Sequence, residues 1–122
     1  MAENNDAMNY VRQGVEKVMS GNSAAALTAF TRALELDSKS EEAYGFRAGE
    51  YGKIDQWDKA ISDYTKAISL KQSETNYISR GCAYTMIEKF SEACSDFKAA
   101  LRINPNNAEA KAALAQLESI GQ

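Results

Sequence analysis

The apolar positions recur in a fixed order along the chain. Ala26, Phe30, Ala33 and Leu36 are spaced to share one face of a helix. The same order of small, aromatic, small and aliphatic returns at Ala60, Tyr64, Ala67 and Leu70, and again at Ala93, Phe97, Ala100 and Ile103, in steps of 33 or 34 residues. Upstream of each stripe lies a second aligned set: Tyr10, Tyr44 and Tyr77, followed four residues on by Gly14, Ala48 and Gly81. A small residue at that place lets a neighbouring helix approach. Each period therefore predicts two helices joined by a turn, at Gly21-Asn22, Ile54-Asp55 and Glu88-Lys89. Asn22 and Asp55 are the expected N-caps of the second helices in their copies.

No run alternates long enough to predict a strand, and the abundance of Ala, Leu, Glu, Lys and Ser favours helix throughout, so the expected class is all-α. The periods run 7–40, 41–73 and 74–107. After Pro105, a further helix over 108–120 carries Leu114, Leu117 and Ile120 on one face before Gly121. Such a helix can cover the exposed flank of the third period. The polar residues 1–6 are expected to be a flexible N-terminus ahead of a single domain over 7–120.

Composition removes several functions. The net charge of −3 comes from intermingled signs without a cluster of Lys and Arg, so the electrostatic source of nucleic-acid binding is missing. No window approaches the roughly 18 apolar residues of a membrane span, and the N-terminus has neither a basic start nor an apolar stretch. A cytoplasmic protein without membrane contact is expected. The chain has no histidine, which takes away the commonest general base and metal ligand. Two cysteines, Cys82 and Cys94, lack the spacing of a zinc site or a disulfide framework and read as reduced, small apolar residues rather than a redox switch. No enzyme activity, cofactor or metal is expected.

The aligned positions resemble the tetratricopeptide repeat, whose 34-residue pattern runs aromatic, Leu-Gly, Tyr, Ala, aromatic, Pro. The third copy matches at Tyr77, Gly81, Tyr84, Ala93, Phe97 and Pro105; the second at Tyr44, Ala48, Tyr51, Ala60 and Tyr64; the first at Tyr10, Gly14, Ala26 and Phe30. It departs from the family at Gln13, Arg47 and Arg80, where a Leu is usual, in having its only proline in the last copy, and in a second copy one residue short. The resemblance implies an α-solenoid of three helix-turn-helix repeats plus a capping helix. Its first helices line a concave groove that binds another protein.

Carried onto this sequence, the groove positions implied by the family are Met8, Val11, Val15, Val18 and Met19 in copy one. In copy two they are Glu42, Gly45, Gly49, Gly52 and Lys53, with Phe46 at the rim, and in copy three Thr75, Ile78, Cys82, Thr85 and Met86. This content suits an apolar peptide or an amphipathic helix of a partner. The alternative is a homo-oligomer in which another copy fills the groove. The family's cationic clamp for heat-shock chaperone C-terminal tails is not expected, because its places hold Val11, Val15, Phe46, Thr75 and Ser79.

Arg47 with Asp63 and Arg80 with Asp96 share one spacing, while copy one has Gln13 and Ala29 there. An ion pair inside the scaffold, within or between repeats, is the preferred reading. Trp57 and Phe90 are expected to pack between helices. Gly45, Gly49 and Gly52, at i, i+4 and i+7, are expected to form a smooth stripe on the groove floor where a partner's backbone comes close.

Overall fold

The computed structural model describes residues 2–121, which form seven helices and no strand. They are α1 (Ala2–Met19), α2 (Ser23–Leu36), α3 (Glu41–Lys53), α4 (Trp57–Leu70), α5 (Glu74–Met86), α6 (Phe90–Ile103) and α7 (Ala108–Ile120). Helix α1 takes in residues 2–6, which the sequence pattern placed ahead of the first repeat; Met1 lies outside the described residues.

Where the sequence supplies a capping side chain, it starts a helix. Asn22, Ser40, Ser73 and Asn107 accept from the amides of Ala25, Ala43, Asn76 and Ala110 at 2.9–3.2 Å, satisfying donors that the helix itself leaves open. The expected cap at Asp55 is corrected: the residue before α4 is Gln56, whose side chain makes no capping bond. Asp55 instead occupies the left-handed region at φ 61°, as Glu88 does at 59° and Gly21 at 76°. The turn between the two helices of every repeat needs one left-handed residue, and Asp55 stands at that place in copy two.

Each helix packs chiefly against the next in sequence, and α1 also touches α3, the arrangement of a solenoid. The alanines of the periodic pattern, Ala26, Ala33, Ala60, Ala67, Ala93 and Ala100, are completely buried at the crossings. A Cβ at Gly14 would lie 2.4 Å from the ring of Phe30, and one at Gly81 2.9 Å from that of Phe97. Both phenylalanine rings therefore lie directly on helix backbone, and both are almost fully buried. Closing helix α7 contributes Ala110 and Leu117 to the cluster around Phe97.

The ion pairs hold the repeats together. Arg47 Nε and Nη2 each donate to Asp63 at 2.8 Å, and Arg80 donates to Asp96 in the same fork at 2.8 and 2.7 Å. Each pair joins the two helices of one repeat. The remaining Nη1 reaches back to the second helix of the preceding repeat, to Thr31 at 3.3 Å from Arg47 and to Thr65 at 3.1 Å from Arg80. The bonds to Asp63 and Asp96 hold both guanidinium groups above the ordinary arginine value.

Candidate functional site

An apolar opening on the first helices lies between α1 and α3. It is a pocket of about 340 Å³ lined by Ala7, Met8, Val11, Arg12, Val15, Asp37, Ser40, Glu42 and Phe46. Its wall follows from the packing beneath. Phe30 settles on Gly14, and Phe46 stacks on Phe30 with ring centroids 5.5 Å apart and planes 11° from parallel. Phe46 is thereby held from below yet remains 42% exposed, which fixes an aromatic face toward the opening. Val11 packs by its inner side against Ala33, Leu34 and Ala43.

The polar rim comes from two directions. Arg12 stands on α1 and donates to Asn9 Oδ1 at 3.2 Å. Asp37 and Ser40 come from the α2–α3 connection, where Asp37 Oδ1 accepts the Lys39 amide at 3.0 Å and Ser40 caps α3. Glu42 projects from the first turn of α3. Helix periodicity carries no trace of Asp37 and Ser40 as lining residues, because a loop places them there.

Of the expected groove residues, the pocket gathers Met8, Val11, Val15, Glu42 and Phe46. Val18 is half-buried, while Met19 and Met86 are exposed near the ends of α1 and α5. Lys53 pairs with the buried Glu50 at 2.8 Å, and the other Glu50 oxygen accepts from Ser23 at 2.9 Å. Cys82 is at the surface, its thiol pushed up by the protein crowding it and by the charge of Glu109.

Two expected residues are corrected. Ile78 is only 7% exposed and belongs to the core with Phe97, Ala110 and Leu117, since the third repeat is flanked by α7. Gly52 is buried, and a Cβ there would meet Trp57 Cζ3 at 2.8 Å, so it accommodates the tryptophan at the start of α4 rather than flooring a groove. Gly45 has nothing within 4 Å of its Cβ position, and Gly49 has only the Tyr64 hydroxyl at 3.9 Å. Burial raises the pKa of Tyr64, and a hydrogen bond with the Ser79 side chain partly offsets it.

The family model for the tetratricopeptide repeat matches residues 41–74 and 75–107, more than half of the chain. The chain belongs to the tetratricopeptide repeat family. Among curated relatives, DnaJ homolog subfamily C member 3 of Gallus gallus is 38% identical over 107 residues, covering 88% of this chain and 21% of that protein. Serine/threonine-protein phosphatase T of Aspergillus oryzae is 32% identical over 96 residues, covering 78% of this chain and 20% of that one. The chain thus spans about a fifth of these relatives' length. Similar solved structures include peptide complexes. The first tetratricopeptide domain of Spaghetti (RPAP3), bound to the HSP90 peptide SRMEEVD, superposes with a TM-score of 0.90 at 26% identity, covering 95% of this chain and 93% of that one. The second such domain of human RPAP3, in complex with the HSP70 peptide SGPTIEEVD, gives 0.89 at 28% identity, covering 95% and 98%.

Proposed function

We propose that this tetratricopeptide domain is a protein-interaction module that holds an apolar peptide, or one face of an amphipathic helix, against α1 and α3, without catalytic chemistry of its own. The observation that carries the reading is the pocket whose wall is Met8, Val11, Val15 and the supported ring of Phe46. A concave, mostly apolar site with a few polar groups at its edge is the usual form of a binding pocket. Peptide-bound domains of the same fold support the general mode. The tail-clamp mode is disfavoured here, because Val11, Val15, Phe46, Thr75 and Ser79 stand where the clamp side chains would be. Gly45 and Gly49 extend the proposed surface along α3. A reducing, cytoplasmic setting is part of the reading and fits two cysteines that both remain free.

Affinity capture from native extract tests it. Val15→Glu puts a charge into the apolar wall and should reduce capture about tenfold or more, since an unpaired charge in an apolar contact is strongly disfavoured. Ile54→Glu, in the exposed α3–α4 turn, serves as the control and should leave capture unchanged. Undiminished capture by a folded Val15→Glu protein would sink the proposal. The second reading, a homo-oligomer whose groove is filled by another copy, draws on the exposure of Met8, Met19 and Met86, at 59%, 82% and 58%.

A further inference from the structure

Resting on the groove reading, we infer that the segment seated in the α1–α3 pocket carries one large apolar side chain flanked by lysine or arginine. The pocket, at about 340 Å³, is at the lower end of the range for ligand sites, suited to a single large side chain against Phe46 and the valines. Its rim is charged unevenly. Asp37 and Glu42 stand on the α2–α3 side against Arg12 alone on α1, so two carboxylates face one guanidinium and the rim is net negative.

The availability of these groups points the same way. Among the described residues, none of the three is in an ion pair. Arg12 already donates to Asn9, and Asp37 commits only one oxygen to the Lys39 amide. Glu42 is exposed, and among the described residues its carboxylate makes no hydrogen bond. Three cations of α3 and α5 are engaged: Arg47 and Arg80 are forked onto Asp63 and Asp96, and Lys53 sits on Glu50, while Lys17 stands in the last turn of α1, outside the lining of the pocket. Complementary charge at such a rim sets specificity and encounter rate more than raw affinity. An incoming lysine or arginine next to the apolar anchor meets two unpaired carboxylates, whereas an acidic segment meets repulsion from both.

The test titrates the labelled full chain with three peptides of about seven residues, acetylated and amidated, each with a central phenylalanine flanked by Lys, by Gln or by Glu. Shifts of the Met8, Val11 and Val15 methyls are followed at about 20 mM and about 150 mM salt, conditions that differ in screening length. The Lys peptide should bind about fivefold tighter than the Gln peptide at low salt, with the Glu peptide weakest and the differences shrinking at the higher salt. Glu42→Lys, a surface change on α3, should reduce or invert the order. Equal binding by all three peptides, or preference for Glu, overturns the charge inference and leaves the groove reading standing. Absence of methyl shifts with any peptide up to millimolar concentration overturns both.

Discussion

Gly45, Gly49 and Gly52 share a helical spacing, and their environments separate them. A glycine inside a helix costs about 1 kcal/mol relative to alanine when nothing forbids the added methyl. At Gly49 the nearest atom to that methyl is 3.9 Å away, whereas at Gly52 the Trp57 ring stands at 2.8 Å. Gly49→Ala should therefore raise stability by up to about 1 kcal/mol. Gly52→Ala should lower it, because the tryptophan would have to leave its seat or α3 and α4 would have to part. Paired denaturant melts measure both, and a stabilising Gly52→Ala would contradict the placement of Trp57. The spacing was legible in the sequence, but the collision with Trp57 was not, since it depends on how the α3–α4 turn folds the chain back.

At the scale of the elements, the paired Arg and Asp positions were visible as residues present together in copies two and three and absent together in copy one. The sequence left open whether the contact lay within a repeat. The carboxylate partner is in the same repeat, and the threonine partner is in the one before, so each arginine ties three helices. Side-chain exposure is 4% at Asp96 and 19% at Arg80, which limits screening by water. A double-mutant cycle of Arg80→Ala and Asp96→Ala should show coupling of about 1–3 kcal/mol. Additive losses would mean that the fork contributes nothing as a pair.

A second tie between elements was not read from the sequence, although it recurs, with Glu41 accepting from Asn76 as Glu74 does from Asn107. Glu74, the first residue of α5, accepts at Oε1 from Asn104 at 2.9 Å and from Asn107 at 2.8 Å, linking α5 to the connection before α7. These bonds, that from Asn107 first, hold the Glu74 carboxyl below the usual glutamate range. The folded state thus favours the charged form. Its contribution is present above the unfolded value of about 4.3 and is lost as pH falls through the lower folded value. Glu74→Gln should flatten the decline of stability in that acid window, an effect kept small by solvent. Identical acid limbs for the parent and Glu74→Gln would show that the linkage is absent.

For the molecule as a whole, the exposed side chains Met8 and Phe46 at the α1–α3 pocket, with Met19 and Met86 at the ends of α1 and α5, make self-association the natural competitor of the proposed partner binding. If another copy fills the groove, mass measured across a concentration series should rise with concentration, and Val15→Glu should suppress the rise. A strict monomer throughout would remove the homo-oligomer reading and leave the peptide-binding one in place.

The sequence by itself determined the helices, their pairing into repeats and the identity of the family, because those follow from local propensity and from a period that each copy restates. The family resemblance also singled out Met8, Val11, Val15 and Phe46, which the fold gathers around one pocket. Tertiary structure decided what covers each position. Ile78 and Val11 occupy equivalent places in their repeats, yet Ile78 lies in the core that α7 completes, while Val11 remains half-buried at an opening toward α3. Asp37 and Ser40 reach that opening only because the α2–α3 connection bends there. A repeat pattern specifies which face of a helix is apolar; the particular side chains that the next helix sets against that face decide whether it is buried or left open.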